Sequence, residues 1–193
     1  ADDTIYGSLY LMETLITIFV MAVFSPRLLQ KFGKRNMSLA GVVLCFVGHA
    51  IFLINPTDLN WVIFSCVIRG IGFAPVQSVI FGFLGDAVEY GQWKTHVRQE
   101  GLIFSGGSVG TKVGSGLTSA FLTGLLSYAG YVASSSGSVV QSQQVIDMIV
   151  NIYMWGPIFV WAVLVVLLYF YQLDKKYPEI MRELVAREAR GEM

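Results

Sequence analysis

An all-α integral membrane fold with five spanning helices is what this sequence predicts, and three observations carry that reading. Only 13% of the 193 residues are charged while 54% are hydrophobic, against about a quarter charged in ordinary soluble domains. Five segments are about as long and apolar as the roughly 20 residues that cross a bilayer. Basic residues gather in alternate connections between those segments, as cytoplasmic loops do. Runs such as FLTGLLSYAGYV and WAVLVVLLYFYQ offer too little polar face for a soluble helical core. The net charge of zero gives no case for binding nucleic acid.

The spans are expected at about 5–25, 37–54, 61–85, 101–133 and 146–173. Together they form a transmembrane bundle over 1–173, followed by a tail over 174–193. The first connection holds Arg27, Lys31, Lys34 and Arg35, and the third holds Lys94 and Arg98. The tail holds Lys175, Lys176, Arg182, Arg187 and Arg190, whereas NPTDLN and SSSGSVVQSQQ hold no basic residue. This sorting puts the first and third connections and the C-terminus in the cytoplasm. Trp61 and Tyr131 then fall near the outer interface, and Tyr169, Tyr171 and Tyr177 near the inner one. The opening residues ADDTIYGS show neither Met nor a basic leader, so no signal peptide is expected.

In the first span Glu13 lies eight residues past Ile5, and in the third Arg69 lies eight past Trp61. Equal depth predicts an intramembrane ion pair between Glu13 and Arg69, with a structural duty ahead of a direct substrate role. Cys45 and Cys66 read as packing residues, because two Cys in apolar runs make no metal-ligand set, and His49 reads as a packed or interfacial His with no catalytic role. Pro75 and Pro157 each remove a backbone hydrogen bond and predict kinks.

The fourth span carries the residue of greatest weight. Lys112 lies twelve residues beyond Glu100, which is roughly 18 Å along a helix and near the middle of a hydrocarbon core about 30 Å thick. Burying it there costs at least about 2.5–3.5 kcal/mol, so an intramembrane charge is a functional hypothesis by default. Ser105, Ser108, Ser115, Ser119 and Thr123 share its helix face. They read as the lining of an aqueous substrate pathway; the alternative is that their hydroxyls bond their own helix. Gly106, Gly110 and Gly114 predict close packing against a neighbour. Before this span, DAVEYGQWKTHVRQE reads as a charged loop from Asp86 to Glu100. The tail reads as an amphipathic helix with Pro178 in its first turn. Its Ile180, Met181, Leu184 and Val185 would lie on the inner membrane surface.

The stretch GDAVEYGQWKTHVRQEG, followed fourteen residues after Arg98 by the lysine of GTKVGSG, resembles the glycoside–pentoside–hexuronide:cation symporters. These melibiose permease-like proteins belong to the major facilitator superfamily. The segment SPRLLQKFGKRN looks like that superfamily's basic cytoplasmic connection between the second and third helix of each half. The resemblance implies helices 8–12 of a twelve-helix fold, hence the C-terminal part of a longer transporter whose missing N-terminal half holds the cation-binding acids. It implies a coupling role for Lys112 beside the cation site, a position near the sugar for Ser108, and a cytoplasmic gate made by Asp86, Glu89, Tyr90, Lys94 and Arg98. The expected function is symport of a glycoside or related sugar with Na⁺, H⁺ or Li⁺ by alternating access. The expected location is the bacterial inner membrane, as a multi-pass protein without metal or other cofactor. A lysolipid transporter of the same superfamily, a membrane enzyme and a structural membrane protein are the alternatives. The serine stripe favours a sugar over a lipid, and two isolated His residues supply no catalytic set.

Overall fold

The computed structural model describes residues 3–133 and 140–191. Six helices follow one another: α1 (Asp3–Val23), α2 (Ser25–Ile54), α3 (Leu59–Thr95), α4 (Glu100–Tyr128), α5 (Gln143–Phe170) and α6 (Leu173–Ala189). Among the described residues α2, α3 and α5 are long and apolar enough to cross a membrane, and α1 contributes the shorter apolar run Gly7–Val23. The fourth predicted span is a continuous 29-residue helix, but no single stretch of it is as apolar as those in α2, α3 and α5. Sixteen of its residues are Gly, Ser, Thr or Lys.

The core is the crossing of α2 over α3, with α1 lying on α3 and α5 on α2. Small residues set its closeness. A Cβ added to Gly41 would stand 2.5 Å from the Gly72 carbonyl oxygen, and one added to Gly72 would stand 2.8 Å from that of Gly41. Two backbones this near exclude any side chain between them. Val42, Cys45, Cys66, Ala74 and Val79 fill the remainder of the seam and are almost fully buried. At Gly70 an added Cβ would meet the Glu13 carbonyl oxygen at 3.0 Å, so α1 approaches α3 as tightly there. Thr17 Oγ1 fixes the approach by donating to the Gly70 carbonyl at 3.1 Å.

Several expected boundaries move, each for a local reason. The basic connection at 26–36 is helical. Pro26 occupies the first turn of α2, and the break is a single residue, Gly33, at φ +76°, a value glycine adopts without strain. The charged stretch from Asp86 onward is no loop: α3 runs on to Thr95, and only 96–99 connect it to α4. Helix α3 stops where His96 takes left-handed backbone and its N–H bonds the Gln92 carbonyl at 2.9 Å. Helix α4 ends at Tyr128 rather than near 133, because Gly130 turns left-handed (φ +84°) and the Tyr131 N–H caps the Leu126 carbonyl. Both Pro75 and Pro157 sit inside continuous helices.

Two packing expectations are corrected. An added Cβ on Gly106, Gly110 or Gly114 meets nothing within 4 Å, whereas one on Gly107 would stand 2.9 Å from Leu84. Among the described residues the tightest glycine contacts belong to α2 and α3, Gly107 rather than the predicted three meets a neighbour on α4, and α4 has no buried residue. The tail helix starts at Leu173, so Pro178 lies within it instead of in its first turn. Its apolar side docks on protein: Ile180 and Leu184 are buried, and α6 packs on the C-terminal end of α3. Val185 remains exposed.

Candidate functional site

Two charged clusters and one polar helix face hold the residues that the sequence singles out. The first cluster lies within the bundle. Arg69 Nη2 donates to Glu13 Oε2 at 3.0 Å, joining α3 to α1. The arginine side chain is 7% exposed and the glutamate 31%, so the carboxylate is the more accessible partner. On the other side, Arg69 Nη1 lies 3.3 Å from His49 Nε2 and 3.5 Å from the Tyr153 hydroxyl, bringing in α2 and α5. Cys66, one turn earlier on α3, accepts from Nη2 through its sulfur at 3.0 Å. Gly48 makes the arrangement possible, since a Cβ there would stand 2.6 Å from Arg69 Cγ.

The cluster forms one end of a cavity of about 570 Å³ between α1, α3 and α5. Tyr10, Thr14, Thr17 and Gln77 add polar groups to its wall, and Ile18 and Phe73 add apolar ones. Equal depth in sequence leads to the Glu13–Arg69 pair. It does not reveal His49 or Tyr153, which reach Arg69 from helices whose rotation only packing fixes. His49, read from sequence as packed or interfacial, is buried and bonded at both nitrogens: Nδ1 lies 3.3 Å from the Cys45 carbonyl.

The second cluster lies where α2, the C-terminal part of α3 and the α5–α6 junction meet. Asp86 is 1% exposed and forms an ion pair with Lys34 of α2; its second oxygen lies 3.4 Å from the Tyr171 hydroxyl. Asp174 accepts from the Arg35 backbone N–H at 2.6 Å. The Arg35 guanidinium donates to the carbonyls of Leu168 and Tyr169 at 2.9 and 2.6 Å, so a cation caps the C-terminal end of α5. The Tyr177 hydroxyl bonds Glu89; burial first, and then this hydrogen bond, hold its pKa well above the usual tyrosine value.

Further along α3, the Trp93 indole donates to Glu183 Oε2 at 2.5 Å, and Arg187 donates to the Trp93 carbonyl at 2.9 Å. The Trp93 hydrogen bond, with Arg187 in second place, lowers the Glu183 pKa from its ordinary value. Tyr90 packs on Trp93, and Lys94 lies over the Tyr90 ring. Arg98 is half exposed and holds Gln92 at 3.0 Å and Glu100 at 3.3 Å. Of the residues implied as a gate, then, Asp86 and Glu89 are tied into this bundle, while Lys94 and Arg98 remain at its surface.

The polar face belongs to α4. Lys112, Ser105, Ser108, Ser115 and Ser119 are all exposed. The hydroxyls of Ser105, Ser108 and Ser115 donate to carbonyls of their own helix, at Leu102, Phe104 and Lys112. Each of those three still has lone pairs free to accept.

The model of a family described as MFS/sugar transport protein matches residues 4–175. The chain belongs to this family. Its symporters of the glycoside–pentoside–hexuronide:cation type are the group whose motif the sequence resembles. The chain is 31% identical to an isoprimeverose transporter of Lactiplantibacillus pentosus, over 93% of its own length and 37% of that protein's. It is 29% identical to a glucuronide carrier protein homolog of Escherichia coli K12, over 97% of this chain and 40% of that one. It is also 29% identical to a putative sulfoquinovose importer of Salmonella typhimurium, over 90% and 36%. The chain thus spans well under half the length of these relatives. Family membership and the apolar helices make it a membrane protein of bacterial kinship.

Proposed function

We propose that this chain is one helical bundle of a secondary transporter that carries a glycoside or related sugar together with Na⁺, H⁺ or Li⁺ by alternating access. The observation that carries the reading is α4. Midway along this helix stands a lysine, and the rest of the chain buries none of the helix's residues. A cation at that depth is not stable against hydrocarbon, so the face that bears it meets water or anions. A second bundle with carboxylates opposite Lys112 satisfies it, and the cleft between two such bundles is where polar solutes sit in rocking transporters. Relatives named as sugar transporters, importers and carriers support the same reading.

In this scheme Lys112 shares charge with the facing acids, and cation binding retunes that shared charge. Ser105, Ser108, Ser115 and Ser119 offer acceptors to sugar hydroxyls along the same face. Lys94 and Arg98 make exposed ionic contacts with the second bundle when the inside is shut. Such contacts are worth about 0–1 kcal/mol each, weak enough to reopen. The protein is multi-pass in the inner membrane with its C-terminus in the cytoplasm, as the alternation of basic segments indicates.

The test is Lys112→Ala in the intact transporter. Cation-driven sugar accumulation in vesicles is expected to fall to the level of empty membranes, while protein abundance stays unchanged. Accumulation equal to the parent transporter would refute the coupling role.

A further inference from the structure

The Glu13–Arg69 pair sits on the wall of a cavity that the coupling scheme does not use. We propose that it is a proton-linked anion site: an acidic group of the solute, a carboxylate or sulfonate, takes the place of Glu13 on Arg69 as Glu13 takes up a proton. This rests on the transport reading.

Three features support it. The first is unused bonding capacity. Arg69 has one anionic partner, held through Nη2 alone, and its buried Nε has no acceptor among the described residues. Nε and Nη2 form one edge of the guanidinium fork, the edge that planar oxyanions engage with two parallel hydrogen bonds. Glu13 occupies half of it. The second is access. The cavity of about 570 Å³ is of the size that holds small solutes, roughly 300–1,000 Å³, and Glu13 is the member of the pair that the cavity reaches more easily.

The third feature is charge balance. The groups facing Glu13 are Arg69 and Cys66 from α3, His49 and Cys45 from α2, Tyr153 from α5, and Tyr10 on its own helix. Arg69 is the sole permanent cation among them. Protonating Glu13 alone would strand Arg69 as a buried unpaired charge, and adding an anion alone would leave an excess negative charge. Together the two events keep the cluster neutral: one proton passes from water to the carboxylate, and one carboxylate or sulfonate enters against the guanidinium. His49 and Tyr153 hold Nη1 during the exchange, so the arginine does not swing.

The complete transporter, purified and reconstituted, gives the test. Binding of D-glucuronate is compared with D-glucose by calorimetry in weakly buffered solution, with a pH indicator reporting proton uptake. Glucuronate is expected to bind at least about tenfold more tightly, the scale of a hydrogen bond to a charged group. Each binding event should remove a proton from solution, and affinity should rise as the buffer is made more acidic. Glu13→Gln should bind glucuronate with no proton uptake and with affinity flat in pH. Arg69→Gln should lose the preference for glucuronate over glucose. The wild-type comparison stands even if neither variant folds. Equal binding of the two sugars, or proton uptake that persists in Glu13→Gln, overturns the site and leaves the transport reading intact. Absence of binding and transport for both sugars overturns the transport reading and the site with it.

Discussion

Asp86 shows how one side chain can be charged in sequence and buried in structure. It is the first acid of a polar stretch, yet it lies 1% exposed between Lys34 and the Tyr171 hydroxyl. Its carboxylate is kept there by partners from α2 and from the end of α5, not by water. Asp86→Ala would leave the Lys34 ammonium without its counter-ion. Loss of one partner from a fully buried pair costs about 3–5 kcal/mol, and the partial exposure of Lys34 lowers the expected loss to about 2 kcal/mol. A thermal melt in detergent should therefore shift downward by several degrees. A melt unchanged from the parent would mean that Lys34 finds water or lipid phosphate at no cost. Gly33 and Gly41 are a second lesson at this scale. Each is one glycine among the twenty, and only the structure shows that one breaks α2 while the other lets it touch α3.

Among the elements, the apolar helices were readable and the polar ones were misread in part. Length and hydropathy place α5 within three residues, the end of α2 and the start of α3 within two, but miss the first twelve residues of α2 and the last ten of α3; equal depth along two of the spans sets Glu13 opposite Arg69. The residues from Asp86 to Thr95 read as a loop because their polarity was set against a lipid background. In the structure Trp93, Glu89 and Asp86 find partners on α6, α2 and the α5–α6 junction, so helical backbone persists. The partner surfaces lie up to 94 residues away in sequence, beyond what local pattern conveys. The tail helix was legible as amphipathic, but not the identity of what covers its apolar side. Its docking carries a pH dependence. Glu183 has a lowered pKa in the folded state, so its contribution is complete above the ordinary carboxylate value and disappears as pH falls through the folded value. Hydrogen exchange of α6 amides should accelerate in that acidic window relative to α3, after correction for intrinsic rates. Trp93→Phe, which lacks the indole N–H, should begin to lose protection at a higher pH than the parent.

For the molecule as a whole, the features described divide between a tightly joined body and a helix that stands apart. Helices α1, α2, α3 and α5 share the Arg69 cluster, and α6 packs on the C-terminal end of α3. Helix α4 touches that body sparingly and carries the lysine and serine face. Arg98 lies in the short segment that joins α3 to α4. Arg98→Ala is expected to leave insertion and abundance unchanged while slowing sugar uptake severalfold, with initial rates in vesicles as the readout. Parent-like rates would remove Arg98 from the gate. Helix α3 gives this division a mechanical meaning. Its 37 residues form a rod about 55 Å long, with Arg69 and Asp86 some 25 Å apart on the same stiff axis. A rigid tilt of this helix moves Arg69 against Glu13 and Asp86 against Lys34 together. In the proposed transport cycle the rod is a crankshaft, carrying to the Asp86 cluster a movement that begins at the Arg69 cluster.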